Sequence, residues 1–64
     1  MATPKQQLNA QFALIAQALA SPQRLEILDY LAQTERSVEE LAQLASLTVA
    51  NTSRHLQTLK QAML

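Results

Sequence analysis

The chain has 64 residues, of which 48% are hydrophobic and 16% charged, and its formal net charge is zero. This length allows one small domain, and the composition indicates a globular protein, since disordered chains combine low hydrophobicity with high net charge. The absence of cysteine excludes disulfides and thiolate metal sites. No apolar run reaches the ~20 residues of a membrane-spanning helix, and the N-terminus lacks a signal-peptide pattern. We therefore expect a soluble, cytoplasmic protein with no membrane partner.

The first two helices are predicted from their N-terminal caps. Thr3 and Ser21 are each followed by proline, which suits the first helical position because its missing N–H has no helical partner there. The first helix therefore ends near Ala20. Its apolar side chains form one stripe with spacings of four, three and four residues: Leu8, Phe12, Ile15 and Leu19.

Leu14 lies off that stripe and is either ordinary surface or a contact with a partner subunit. In the second helix, the side chains predicted to face the core are Leu25, Leu28, Leu31 and Ala32, with Ile27 beside them.

The last two helices are short, amphipathic and close together. Ser37 and Glu40 form a capping box that begins the third helix, and Thr48 caps the fourth, which begins at Val49. The apolar edge of the third helix is Leu41, Leu44 and Ala45. The inward side of the fourth helix is Thr52, Leu56, Leu59 and Met63. With no period-two strand pattern, the sequence predicts an all-α fold of four helices.

Two helices joined by a turn of three or four residues are typical of a helix-turn-helix DNA reader. The small residues Ala50 and Ser53 allow close approach to base edges, Arg54 can pair with guanine, and Lys60 can neutralise a phosphate. Zero net charge gives no support to DNA binding, but residues 47–64 contain no acid. The candidate DNA-binding residues are Thr48, Val49, Ala50, Asn51, Ser53, Arg54, Gln57 and Lys60.

Three segments resemble the arsenic-repressor-type (ArsR/SmtB) winged helix-turn-helix regulators. They are "ALASPQRLEIL", "RSVEELA" and "TVANTSRHLQTLKQA", in that order. The resemblance implies a recognition helix over about residues 49–62. It also implies a two-stranded wing and a last helix, which residues 1–64 do not contain, so we expect this chain to be the helical part of a winged-helix domain. The family usually has glycine where Ser46 stands, so Ser46 is expected to be mildly strained.

The resemblance also implies where metal sensing would occur, usually at a cysteine pair opening the third helix or at His and acidic residues of the last one. Here the third helix opens with Glu39 and Glu40, which point about 100° apart and cannot chelate together. We expect no metal and no cofactor. His55 is interpreted as a structural or DNA-backbone-contacting residue. Tyr30 is expected to pack at the edge of the second helix with its hydroxyl in water.

The leading hypothesis is a sequence-specific, repressor-like transcriptional regulator that binds a double-stranded operator as a homodimer paired through the first helix. The alternative is a small helical dimerisation or interaction module that does not bind DNA, which the neutral charge would suit. An enzyme is not expected, because no nucleophile–base pair, phosphate loop or carboxylate pair occurs at a workable spacing.

Overall fold

A computed structural model describes the backbone of residues 3–63 and the side chains of residues 3–62. Within this part of the chain there are four helices and no strand, which confirms the all-α prediction. The helices are α1 (Pro4–Leu19), α2 (Pro22–Gln33), α3 (Val38–Leu44) and α4 (Val49–Met63). None of them is long and apolar enough to cross a membrane.

Each helix begins at the cap that the sequence predicts. In α3, the Glu40 backbone N–H donates to Ser37 Oγ at 3.1 Å, and the Ser37 N–H donates to the Glu40 carboxylate at 3.2 Å. Thr3 makes the same reciprocal pair with Gln6, and Ser21 accepts from the N–H three residues later. These bonds satisfy N–H groups that have no partner inside the helix, and each cap typically contributes about 1 kcal/mol.

The central hydrophobic cluster contains a buried side chain from each helix: Ala18, Ile27, Leu41 and Leu59. Helix α4 packs against all three other helices and is therefore the central element of the fold. Half-buried side chains surround this cluster, among them Leu28, Leu47 and Leu56. The described chain measures 43 × 22 × 17 Å, so the bundle is distinctly elongated.

The apolar stripe predicted on α1 is not buried over its N-terminal half. Leu8 is 55% and Phe12 60% exposed, and every residue from 3 to 14 is exposed. Only the end of α1 packs on the bundle, where Ala18 is buried and Ile15 and Leu19 are half-buried. The periodicity located the apolar stripe on α1 correctly, but it could not predict whether other helices of this chain cover the stripe.

The predicted core face of α2 is also corrected. Ile27 is fully buried, whereas Leu25 and Leu31 are 50% and 37% exposed and Ala32 is exposed as well; Leu28 is half-buried. Ile27 is three residues from both Arg24 and Tyr30, so all three share one side of the helix. Arg24 and Tyr30 make contacts with other helices, which turns this side inward in place of the more leucine-rich one.

In α3, Leu41 is buried and Ala45 half-buried as predicted, but Leu44 is 40% exposed. Ala42 is buried in its place, at 4% exposure. A methyl side chain at this position allows α3 to lie close against α4, its main packing partner.

Candidate nucleic-acid interface

The turn between α3 and α4 is a Schellman motif. The Leu47 N–H donates to the Ala42 carbonyl at 2.8 Å, and the Ser46 N–H donates to the Gln43 carbonyl at 3.3 Å. Ser46 takes the left-handed conformation that such a turn requires, with φ of 56°. The strain predicted for this residue is thus confirmed, because a side chain with a Cβ pays a penalty there that glycine avoids.

The inner side of α4 is fixed by burial and by a local hydrogen bond. Thr52 is fully buried and Leu59 is 5% exposed, while Leu56 is half-buried, as predicted. The Met63 side chain lies outside the described residues. The Thr52 hydroxyl donates to the Thr48 carbonyl at 2.9 Å, so its burial leaves no unpaired polar group. The packing of this side fixes the orientation of α4 about its own axis, and so determines which of its residues face outward.

The outer side of α4 carries the predicted contact residues, and all eight of them are exposed. Successive residues turn about 100° around a helix, which places Ala50, Arg54 and Gln57 within one narrow arc opposite the buried side. Gln61 lies in the same arc and is exposed, although it was not among the predicted residues. The sequence did contain a signal for Gln61, because it follows Gln57 by four residues and Arg54 by seven, which places it on the same side of the helix.

The remaining candidates lie on the two flanks of this arc. Val49, Ser53 and Lys60 share one flank, and Asn51 lies on the other, next to Thr48. The structure therefore does not gather all eight residues into a single stripe. Instead, the exposed side of α4 has a central row of residues, and the other candidates lie on the two sides of that row.

The beginning of α4 is organised to receive an anion. Thr48 Oγ1 accepts from the Asn51 N–H at 3.0 Å, which leaves its hydroxyl proton free to donate outward. Helix geometry leaves the first N–H groups of α4 without helical acceptors, and they lie at the positive end of the helix dipole. A phosphate can bind at such an end.

Charge is separated between elements of the fold. Residues 45–63, which include the turn and α4, contain Arg54 and Lys60 and no acid. All five acids lie on α2, on α3 or in the loop between them, and all are exposed. The net charge of zero thus combines a basic α4 with an acidic segment from α2 to α3.

Arg24 is the residue near this site that the sequence did not single out. Its Nε donates to the Ala18 carbonyl at 2.7 Å and its Nη2 to the Gln17 carbonyl at 3.1 Å, both in the last turn of α1. Its Nη1 lies 3.3 Å from Nδ1 of His55 on α4. Arg24 thereby connects α1, α2 and α4. A contact across 31 residues leaves no local sequence signal.

Tyr30 connects α2 to the end of α3, and Arg36 fastens the loop between them to α2. The Tyr30 hydroxyl lies at an exposed position, as predicted, and there it is 3.4 Å from the Leu44 carbonyl, the last of α3, and 3.3 Å from a Glu26 carboxylate oxygen. Arg36 donates to the Tyr30 carbonyl at 3.1 Å, and its guanidinium lies 5.6 Å from the centre of the Tyr30 ring. These contacts set the position from which the turn and α4 begin.

The side chains described in residues 3–62 form no group of three or more metal-ligating residues. One of the two adjacent acids of α3, Glu40, has its carboxylate engaged by the Ser37 N–H. The expectation that the chain holds no metal stays a prediction.

Comparison with known proteins identifies the architecture. Residues 21–64, which include α2, the turn and α4, match the family described as "Bacterial regulatory protein, arsR family". The chain belongs to this family. The resemblance drawn from the three sequence segments is therefore confirmed, and the α3–turn–α4 unit is the helix-turn-helix of an arsR-family protein.

A curated relative is similar over most of the chain. The HTH-type transcriptional regulator Rv0324 of Mycobacterium tuberculosis is 45% identical over 56 residues, which cover 88% of this chain and 25% of the relative. The chain thus spans about a quarter of the relative's length. No solved structure matches the chain.

Proposed function

We propose that this arsR-family chain binds double-stranded DNA and acts as a repressor-like transcriptional regulator, with α4 in the major groove. The observation that carries the proposal is the division of α4 into a buried side, with Thr52 and Leu59, and an exposed side with Ala50, Arg54 and Gln57. Family membership and the transcriptional regulator that shares 45% identity support the same function.

The exposed row of α4 suits direct reading of bases. A major groove about 12 Å wide accepts a helix, and the small side chain of Ala50 lets the helix axis approach the base edges. Arg54 can donate two hydrogen bonds to one guanine, and Gln57 can pair with adenine in the same way. Val49, at 46% exposure, offers an apolar contact for a thymine methyl group. Thr48 and Lys60 are the proposed phosphate contacts.

The exposed half of α1 supports a homodimer. Helices gain most of their stability from packing, so a segment exposed from residue 3 to 14 would be stabilised by a partner surface. Leu8 and Phe12 offer that surface with apolar side chains one turn apart. A second copy paired through α1 places two α4 helices for successive major grooves, about 34 Å apart.

Three further expectations belong to this proposal. The helical bundle is the helical part of a winged-helix domain, the protein works in the cytoplasm, and it is a regulator with no enzymatic activity. Zinc titration by calorimetry is expected to show no heat beyond dilution, because the side-chain neighbour that the described residues place within bonding distance of His55 is Arg24, and arginine is no zinc ligand.

The test is titration of a labelled duplex at several salt concentrations. Each phosphate neutralised contributes about −0.9 to the slope of log K against log salt, so a dimer with one Lys60 on a phosphate in each copy should give a slope of about −2. Lys60→Gln should make the slope shallower for every sequence. Absence of any salt-dependent binding at micromolar protein would contradict DNA binding and favour the interaction module.

A further inference from the structure

The imidazole of His55 is held in one tautomer by a neighbouring helix. Its Nδ1 lies 3.3 Å from Nη1 of Arg24. A guanidinium has five N–H donors and no acceptor, so Nδ1 must supply the acceptor in this bond. The proton of the neutral ring is then on Nε2. The two other hydrogen bonds of Arg24, to carbonyls at the end of α1, fix the direction of its guanidinium.

The Nε2 atom faces away from this contact and reaches solvent. Nothing in the described part of the chain bonds to Nε2, and no buried side-chain nitrogen or oxygen there lacks a partner. His55 itself is half-buried. The ring therefore has one end fixed inside the bundle and one N–H donor at the surface.

This donor lies on the flank of α4 that carries the proposed anion-binding helix start. His55 is four residues after Asn51 and seven after Thr48, so the three side chains follow one line along the helix. A helix in the major groove has base edges below its outer side and a phosphate strand along each flank. Lys60 serves one flank, and the line from Thr48 to His55 serves the other.

We propose that the His55 Nε2–H donates a hydrogen bond to a backbone phosphate, and that Arg24 is the positioning residue that holds the ring for it. This inference rests on the proposed DNA-binding function. The charge of Arg24 behind the ring polarises the imidazole and strengthens its outward donor. Because a phosphate carries no sequence information, the contact adds affinity and fixes the orientation of α4 without changing which bases are preferred.

The first test is nitrogen-15 NMR of the histidine ring, recorded without DNA at a pH where the ring is neutral. The chain with Arg24 should show the Nε2–H tautomer alone. In Arg24→Met, which keeps an unbranched side chain of about the length of the aliphatic part of arginine but has no donor, the Nδ1–H form should appear beside it. A loss of packing by itself would broaden these signals without selecting a tautomer. Circular dichroism verifies that Arg24→Met is still folded.

The second test leaves Arg24 and its bonds to α1 in place and changes only the histidine. Asparagine places an acceptor near the position of Nδ1 but has no group near Nε2, whereas glutamine places an N–H donor near Nε2. His55→Asn should weaken binding to every duplex by about two- to tenfold for each copy of the chain bound, the range expected for one hydrogen bond. His55→Gln should bind within about twofold of the parent, and neither variant should change the salt slope, since no cation is removed.

The outcomes separate this inference from the proposed function. If the parent chain binds a duplex and His55→Asn binds equally tightly, the phosphate contact is overturned while DNA binding stands. If the parent shows a mixture of tautomers, the positioning role of Arg24 is overturned. If the parent binds no duplex at any salt concentration, the proposed function itself fails, whichever tautomer is observed.

Discussion

Helices α1 and α4 have nearly the same length but opposite relations to the bundle. Helix α4 packs on the three other helices and buries one complete side. Helix α1 packs only through its end, and residues 3–14 are exposed, including the aromatic ring of Phe12. The amphipathic pattern of α4 is thus used within the chain, whereas Leu8 and Phe12 of the α1 stripe are not covered by the described residues.

The comparison shows that an apolar stripe on a helix favours burial but does not indicate which surface, if any, covers it. A buried leucine on α4 contributes to folding of the single chain, and an exposed leucine on α1 contributes only when a second surface covers it. The two helices should therefore respond differently to the same substitution, and protein concentration should matter for only one of them.

The largest expected effect comes from truncating the same residue type on each helix. Leu59→Ala removes a side chain that is 5% exposed and should lower the free energy of unfolding by about 2 to 5 kcal/mol. Leu8→Ala, at 55% exposure, should change it by about 0.5 kcal/mol or less in dilute solution. Urea denaturation followed by circular dichroism measures both.

Leu59→Met serves as the milder variant if Leu59→Ala is unfolded in buffer, since a swap of similar volume costs less than about 1.5 kcal/mol. Equal losses for Leu59→Ala and Leu8→Ala would mean that α1 is as integral to the monomer as α4.

The next effect concerns self-association through α1. Phe12→Ala removes a ring worth about 1.5 to 3 kcal/mol when buried, so the dimer dissociation constant should rise at least about tenfold. Gln7→Ala, an exposed polar residue of the same helix, should leave it unchanged. Sedimentation equilibrium over a range of concentrations checks this. A folded parent that stays monomeric at high micromolar concentration would contradict dimerisation through α1.

Leu14→Ala distinguishes the two sides of α1. Leu14 is 54% exposed and lies beside Ala18 and Gln61 at the groove between α1 and α4. We expect it to affect association less than Phe12→Ala, because its side chain lies off the stripe of Leu8 and Phe12.

A smaller effect should separate the outer side of α4 from its core side. Arg54→Ala should weaken binding to a specific operator by about 1 to 3 kcal/mol while the melting temperature stays unchanged, because the side chain is exposed. Gln43→Ala on α3 is the matched control and should bind normally. Duplex titration and thermal melting of the same samples decide the point. If Gln43→Ala lost binding while Arg54→Ala kept it, the assignment of α4 to the groove would be wrong.

The smallest effect belongs to the turn that carries α4. Ser46→Gly removes the left-handed strain at φ of 56° and should raise the free energy of unfolding by about 0.5 to 1 kcal/mol. Ser46→Ala keeps a Cβ and should bring no such gain. The urea midpoint should rise with an unchanged m-value. A glycine variant less stable than the parent would show that the flexibility gained by the unfolded chain outweighs the strain released.

The sequence predicted the features that are encoded locally. Caps depend on residues three positions apart, so each helix start could be predicted from its N-cap residue: Thr3, Ser21, Ser37 and Thr48. The side of α4 that faces inward was also predictable, because its polar and apolar residues separate cleanly around the helix. The requirement for a left-handed residue at Ser46 followed from the resemblance to a family with glycine there.

What the sequence could not predict depends on contacts between distant residues. Helix α2 has apolar residues around much of its circumference, so periodicity alone did not select Ile27 over Leu25. The choice is made by Arg24 and Tyr30, whose partners lie on α1, α3 and α4. For the same reason, the exposed contact residues of α4 were predictable as a set, but the link from Arg24 to His55 was not.

The burial of Ala18 at the meeting of α1 and α4 has a geometric consequence. With so small a side chain between them and Arg24 bonded to both, the two helices have little room to tilt against each other. In a symmetric pair joined through α1, the crossing angle at the dyad would then set the distance between the two α4 helices. The number of base pairs that separate the two halves of an operator would then depend on that crossing angle, and measuring the preferred spacing would report the angle.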